Sequence, residues 1–124
     1  MYQHSGVKTS PDFPIPDRMR AWVLGDPDQL LLREKPVPVP SRAEVMVRID
    51  AVAICATDLE IIHSGSPASI EGGLPFNKDF TPGHEYMGTV AALGPDVDEF
   101  EIGERISVEI HAGCCQCKRC RQGM

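Results

Sequence analysis

The sequence contains no run of about twenty apolar residues, the length that a membrane-spanning helix requires. The first eighteen residues also lack the apolar stretch of a secretory signal. Basic side chains are few, with 12 lysines and arginines against 18 acidic residues and a net charge of −6. This balance argues against nucleic acid or an anionic membrane surface as a partner. We therefore expect a cytoplasmic protein, and 124 residues suffice for one domain core but not for two.

Disulfide bonds are not expected, although the sequence contains five cysteines. Four of them crowd together as Cys114, Cys115, Cys117 and Cys120, where mutual disulfides would be strained. Three recur at every third position, and such steps let a loop wrap thiolates around one tetrahedral metal ion. Zinc bound by Cys114, Cys117 and Cys120 still needs a fourth ligand. We expect that ligand from beyond residue 124, with Cys115 outside the shell and His111 as a further candidate.

Helical periodicity is scarce, and short strands separated by turns dominate the pattern. Residues 1–18 carry three prolines among polar residues and are expected to be a flexible N-terminal extension. The domain is expected to cover residues 19–124. A hairpin is predicted from residues 20–24 and 30–34, followed by a proline-rich extended connection over residues 35–41. Such a pattern favours a mainly β fold, either a barrel or a sandwich.

A strand is predicted over residues 44–53 because Val45, Val47, Ile49 and Ala51 alternate with polar side chains and should face a core. A short helix should follow, from a cap at Thr57 or Asp58 to about residue 63, with Leu59 and Ile62 turned inward. Residues 64–80 are expected to form an exposed loop at the edge of a substrate cleft. The remaining strands are predicted over residues 86–93 and 105–110.

A second metal site is suggested by Cys55, which leaves a predicted strand, and by His84-Glu85, which enters another. Taken singly, each residue has a simpler explanation. A lone cysteine usually packs as a small apolar residue, a lone histidine is usually structural, and a lone glutamate is usually a solvated charge. Their combination with a second zinc-like cluster in a short chain favours metal binding.

Four motifs in order resemble the zinc-dependent alcohol and polyol dehydrogenases of the medium-chain dehydrogenase/reductase superfamily. They are Cys55-Ala56-Thr57-Asp58 with Gly65, Pro82-Gly83-His84-Glu85 with Gly88, the Gly94-x-x-Val97-x-x-Phe100-x-x-Gly103-Glu104-Arg105 run, and Cys114-x2-Cys117-x2-Cys120. The resemblance covers residues 19–124 and is to the N-terminal catalytic domain of that family. It implies an irregular, GroES-like β-barrel with short helices, truncated before a Rossmann domain.

The resemblance also implies roles for individual residues. Cys55 and His84 become ligands of a catalytic Zn²⁺, and Glu85 becomes a transient or neighbouring ligand. Thr57 becomes the hydroxyl that binds the substrate oxygen and passes its proton outward. Cys114, Cys117 and Cys120 become three ligands of a structural Zn²⁺, whose fourth cysteine in the family lies beyond residue 124.

Three positions depart from the family pattern. Ala56 replaces the usual glycine after the ligand cysteine, and Cys115 replaces a glycine of the structural loop. Both changes are expected to be tolerated. Glu60 stands where many alcohol-oxidising members carry a proton-relay histidine, and it suggests a polyol branch or another proton route. His63 is a weak substitute for that histidine.

The implied function is NAD(P)-linked, reversible oxidation of a small-molecule alcohol or polyol by a full-length homo-oligomer. No G-x-G-x-x-G fingerprint occurs in the sequence, so NAD or NADP would be bound by a domain absent from this chain, and the 124 residues alone should be inactive. Two other interpretations stay open. One is a non-catalytic structural zinc-binding module. The other is a co-chaperonin-like interaction protein, an interpretation that does not account for the cysteines or for His84.

Overall fold

The computed structural model describes residues 2–64, 80–110, 113–114 and 116–123. This part of the chain is mainly β, as the sequence predicts, and its strands form two antiparallel sheets. None of its helices is long and apolar enough to cross a membrane. In chain order the elements are β1 (Arg18–Leu24), β2 (Leu30–Pro36), β3 (Val45–Ala53), α1 (Ala56–Ser64), β4 (Glu85–Leu93), β5 (Arg105–Ser107) and α2 (Lys118–Arg121).

The predicted hairpin is confirmed as a two-stranded sheet of β1 and β2, in which Trp22 lies opposite Leu32. Both strands extend further than predicted, so that Arg18 pairs with Pro36. The connecting turn carries Asp28 in the left-handed region, with φ of 64°. Aspartate adopts that region more readily than most residues do, so it suits this position of the turn.

The second sheet has the order β3-β4-β5, with β4 in the centre. Strand β4 approaches β3 closely at Gly88, where an added Cβ would collide with the backbone carbonyl of Arg48. Glycine is therefore required for this close approach of the two strands. The described strands form two open sheets and do not close into the barrel that the family resemblance implies.

The core lies on β4 and on the turn that follows it. Val90, Leu93 and Val97 are buried, and half-buried apolar side chains from β3, β5 and the intervening loop pack against them. Strand β4 is the most buried of the described elements, with residues 88–93 all buried. The small and β-branched residues of β4 suit such a position.

Burial differs from the sequence prediction at three positions. Val45 and Val47 are half-buried, but Ile49 is 51% exposed and Ala51 is exposed as well. The register of β3 against β4 shifts between Met46 and Val47 and again between Ile49 and Ala51, and such irregularities break the strict alternation of faces. Leu59, predicted to point inward, is 60% exposed and lines an open cleft between α1 and the β1-β2 hairpin.

The last strand is shorter than predicted. Strand β5 ends at Ser107, and only the amide of Val108 continues the pairing, by donating to the carbonyl of Tyr86 at 3.1 Å. The four-residue helix α2 follows Cys117 and has no counterpart in the sequence prediction. The predicted loop over residues 64–80, apart from its two ends, and the positions of Gly65, His111 and Cys115 lie outside the described residues.

The N-terminal segment, for which the sequence predicts a flexible extension, contacts the β3-β4-β5 sheet. Lys8 and Leu93 exchange two backbone hydrogen bonds, of 2.9 and 3.1 Å. The side chain of Tyr2 is buried, and its hydroxyl donates to the carbonyl of Pro38 at 2.6 Å. Pattern alone could not reveal these contacts, because a polar, proline-containing segment shows no apolar periodicity even where single side chains are buried. The division at residue 18 stays a prediction.

Candidate metal centre

The first candidate metal centre lies where β3 ends and β4 begins. Because these strands are antiparallel neighbours, the end of one meets the start of the other, and Ala53 pairs with Glu85. Cys55 follows β3, and His84 immediately precedes β4. One ligand atom from each of Cys55, His84 and Glu85 lies within 4.8 Å of the other two. The structure therefore brings together the three residues that the sequence singled out.

Asp58 organises this cluster from the first turn of α1. The residue is 4% exposed, and its carboxylate accepts from two backbone amides and contacts the ring of His84. The amide of Cys55 donates to Oδ2 at 3.0 Å, and the amide of Gly83 donates to Oδ1 at 3.1 Å. Nδ1 of His84 lies 3.2 Å from the same Oδ1. One buried carboxylate thus links the segment of Cys55 to the segment of His84.

The contact with Asp58 favours one tautomer of a neutral His84. A carboxylate accepts hydrogen bonds, so the single proton of the ring belongs on Nδ1, which leaves the lone pair of Nε2 for a metal ion. Carboxylate–histidine pairs of this kind orient the ring and raise its basicity as a ligand. The backbone supports this placement, because Gly83 has φ of 111°, a conformation that other residues rarely adopt.

The sequence predicts a helix-capping role for Asp58. In the structure its carboxylate accepts from the amide of Cys55, just before α1, and also contacts the ring of His84. Capping was visible from the position of an acid in the first turn. The bond to His84 was not, because it joins residues 26 positions apart that meet only in the folded chain.

Thr57 lies beside the cluster, with its Oγ1 3.8 Å from Sγ of Cys55. Its side chain is exposed, so the hydroxyl is accessible to a small molecule. Glu60 is exposed further along α1. His63, the weak substitute for a relay histidine, does not join the cluster, because its Nδ1 lies 2.8 Å from Oδ1 of Asp28 in the hairpin turn.

The donor set of this cluster fits zinc. A thiolate, an imidazole and a carboxylate are the three ligand types that zinc uses in proteins. Zinc bonds of about 2.0–2.3 Å place tetrahedral ligand atoms roughly 3.3–3.8 Å apart. The observed limit of 4.8 Å requires only small side-chain movements to reach that arrangement.

The second candidate centre is the cysteine loop at residues 114–120. Sγ of Cys120 lies 3.4 Å from Sγ of Cys117 and 3.8 Å from Sγ of Cys114. Two thiolates on one tetrahedral zinc ion are about 3.8 Å apart, so this loop is already close to the geometry of a bound ion. The three cysteines come together as the sequence predicts.

Backbone amides favour the ionised form of one thiol in this loop. The amides of Gln116 and Cys117, and then the side chains of Cys117 and Cys120, lower the pKa of Cys114 to about 7. Hydrogen bonds to a thiolate stabilise its charge, and only the thiolate binds a metal ion. The loop is thus prepared electrostatically for a cation.

Comparison with known proteins identifies the family of this chain. The family described as the alcohol dehydrogenase GroES-like domain matches residues 41–124. The chain is 45% identical over 94 residues to an L-threonine 3-dehydrogenase from Stenotrophomonas maltophilia, covering 74% of this chain and 26% of that protein. It is 34% identical over 109 residues to a sorbitol dehydrogenase from Bacillus subtilis, covering 88% and 30%.

A solved structure shares the fold. The cobalt- and zinc-bound thermostable alcohol dehydrogenase from Pyrobaculum aerophilum superposes with a TM-score of 0.72 at 27% identity, covering 86% of this chain and 31% of that one. The chain thus spans 26% to 31% of the length of these proteins. The GroES-like fold that the resemblance implies is confirmed. On the match over residues 41–124, the chain belongs to the alcohol dehydrogenase GroES-like domain family.

Proposed function

We propose that this chain is the metal-binding domain of a zinc-dependent dehydrogenase. At full length, the protein would catalyse the NAD(P)-linked, reversible oxidation of an alcohol or polyol. The observation that carries the proposal is the cluster of Cys55, His84 and Glu85, in which Asp58 leaves Nε2 of His84 free for a metal ion. A cysteine and a histidine that merely packed in a core would not need that arrangement.

Cys55 and His84 would hold the catalytic zinc ion, and Glu85 would lie beside it as a further or transient ligand. When bound, zinc supplies a Lewis acid that polarises the substrate oxygen. Asp58 keeps the imidazole of His84 oriented while its carboxylate remains shielded from water. The third protein ligand expected for such a site lies outside this chain.

Thr57 would bind the substrate hydroxyl and move its proton. Its hydroxyl both donates and accepts, so it can take a proton from the substrate oxygen and release one in the other direction. The distance of 3.8 Å between Oγ1 of Thr57 and Sγ of Cys55 supports this role. Because Thr57 is exposed, the proton can pass directly to solvent in this chain.

A cavity of about 540 Å³ opens beside Glu85 and is a candidate for the substrate site. Its walls include Ala53, Tyr86, Ser107 and Ile110. Both curated relatives act on substrates that carry several polar groups, as their names state. We therefore favour a small hydroxylated substrate over a long apolar alcohol. The choice between NAD and NADP would be made by residues outside this chain.

The cysteine loop would hold a second, structural zinc ion through Cys114, Cys117 and Cys120. We also propose a cytoplasmic location, because Cys114, Cys117 and Cys120 are placed to bind a metal ion, which requires reduced thiols. A homo-oligomer is proposed for the full-length protein on the family resemblance alone.

The proposal is tested with purified full-length protein, incubated with NAD or NADP and a panel of L-threonine, sorbitol and simple secondary alcohols. We expect reduction of one nicotinamide cofactor, lost on metal chelation and restored by Zn²⁺. The Thr57→Val variant should retain zinc and lose about 10²-fold or more in kcat, the range that general acid–base catalysis supplies. Full activity after complete removal of zinc, or full activity of Thr57→Val, would contradict the proposal.

A further inference from the structure

The hairpin turn between β1 and β2 contacts the helix that carries the metal-site residues. The amide of Asp28 donates to the carbonyl of Ile62 at 2.8 Å, and Oδ1 of Asp28 lies 2.8 Å from Nδ1 of His63. Both partners are in the last turn of α1, which ends at Ser64. Asp28 therefore makes two hydrogen bonds to the C-terminal end of this helix.

Helix α1 depends on such end contacts. It has nine residues, and isolated helices of that length are only marginally stable in water. An apolar cleft of about 410 Å³, lined in part by Trp22, Leu30, Leu59 and Ile62, separates the helix from the hairpin. Leu59 is 60% exposed, so apolar packing holds this face of the helix only weakly.

One aspartate thus holds each end of α1. Asp58 bonds the N-terminal end and connects it to His84, as described above. Asp28 supplies a donor for a carbonyl that the helix end leaves without an intrahelical partner, and its carboxylate faces His63. Cys55 and Thr57 precede or begin this helix, so their positions follow the orientation of its axis.

The same hairpin also holds the other half of the site. The amide of Leu24, at the end of β1, donates to the carbonyl of Phe80 at 3.0 Å. Phe80 lies four residues before His84 and leads into the Pro82-Gly83 bend. The hairpin therefore contacts both halves of the site. Leu24 contacts the segment that leads to His84, and Asp28 contacts the helix that follows Cys55.

The conformation of Asp28 is specific to this position. With φ of 64°, it adopts a region that costs energy for most residues with a side chain and that asparagine, aspartate and glycine tolerate best. This conformation aims the amide and the carboxylate of one residue at the same helix end. A turn that served only to reverse the chain would not need both contacts.

From this geometry we infer that Asp28 is a positioning residue for the metal site, acting through His63, Ile62 and helix α1. The inference rests on the proposed function, because it assumes that Cys55 and His84 bind the catalytic zinc ion. It predicts that loss of the Asp28 carboxylate increases the rate of zinc dissociation and lowers kcat more than it changes KM.

The test uses the full-length enzyme with the variants Asp28→Gly, His63→Ala and the double variant. Glycine keeps the left-handed turn and the amide bond to Ile62 while removing the carboxylate. Asp28→Asn keeps an acceptor oxygen for His63 and serves as the conservative rescue. Asp26→Gly is the matched control, because it makes the same substitution in the same turn. The readouts are the rate of catalytic zinc loss to a chelator, kcat, KM and the thermal midpoint.

We expect Asp28→Gly and His63→Ala each to speed zinc loss by about two- to five-fold, the range that one exposed polar side-chain contact supports. The double variant should be no worse than either single variant, since both remove the same contact. Asp28→Asn and Asp26→Gly should match the unmodified enzyme. A lowered thermal midpoint with unchanged zinc loss and kcat would overturn the inference, as would single effects that multiply in the double variant.

The result also separates this inference from the proposed function. An active zinc enzyme whose Asp28→Gly variant releases zinc at the normal rate refutes the positioning role alone. A full-length protein with no zinc at Cys55 and His84, or with no zinc-dependent dehydrogenase activity, refutes the proposed function and the positioning role together.

Discussion

Replacing Asp58 by asparagine should weaken zinc binding at the proposed site of Cys55 and His84, although the two side chains have nearly the same shape. Asp58 accepts hydrogen bonds from the amides of Cys55 and Gly83 and from the ring of His84. An asparagine offers one acceptor oxygen and turns a donor toward at least one of these N–H groups. The side chain is 6% exposed, so water cannot readily compensate for that mismatch.

The expected magnitude follows from the loss of one charge-assisted bond and from the unsatisfied donor that remains. A buried donor without a partner costs about 1–3 kcal/mol. Removal of the partner of a metal-bound histidine commonly lowers metal affinity by about 10- to 100-fold. We therefore expect Asp58→Asn to weaken zinc binding at Cys55 and His84 by about 10- to 100-fold while the cysteine loop keeps its ion.

The measurement is a competition titration of the full-length protein against a chromophoric zinc chelator. Asp50→Asn is the matched control, because Asp50 also accepts a short hydrogen bond, 2.7 Å from the hydroxyl of buried Thr89. That control should lower the stability of the fold and leave zinc affinity unchanged. Equal zinc affinities for Asp58→Asn and Asp50→Asn would refute the assigned role of Asp58.

Two further predictions concern the ends of the chain. Tyr2→Phe removes the hydroxyl bond to Pro38 and should lower the free energy of unfolding by about 1 kcal/mol in urea, whereas no change would mean that the N-terminal segment does not stabilise the sheet. In the metal-free protein, Cys114 should be alkylated by iodoacetamide with a midpoint at its pKa of about 7. Because the thiolate is the reactive form, the rate should rise as pH increases through that value, and a midpoint near the ordinary value of about 8.5 would contradict the assignment.

The sequence was sufficient for most elements whose cause is local. The hairpin followed from a turn of glycine, aspartate and proline between two apolar segments, and β3 followed from alternation. The cysteine loop was predictable because all three thiols lie within one short segment. Each of these features depends on residues that are close in the chain, and local geometry therefore decides them.

The features that sequence analysis missed depend on distant contacts. Ile49 and Leu59 are apolar at the correct spacing, yet each is at least half exposed, since burial depends on what the folded chain packs against each face. Asp28 and His63 lie 35 residues apart, and nothing in either local segment indicates that they meet. The N-terminal contact of Lys8 with Leu93 is of the same kind.

The candidate site stands between these two cases. The residue types of Cys55, His84 and Glu85 pointed to a metal, and the resemblance assigned their roles. Their convergence within 4.8 Å depends on the pairing of β3 with β4, which the sequence did not specify. The tautomer of His84 and the buried position of Asp58 became visible only in the folded chain.

The most direct test of the account is the zinc content of the full-length protein and of two single variants, measured by atomic emission after exhaustive dialysis. We predict two zinc ions per chain, one of which is lost in Cys55→Ala with loss of dehydrogenase activity, and the other of which is lost in Cys120→Ala. A single zinc ion that persists in Cys55→Ala would contradict the account and identify the domain as a structural zinc module.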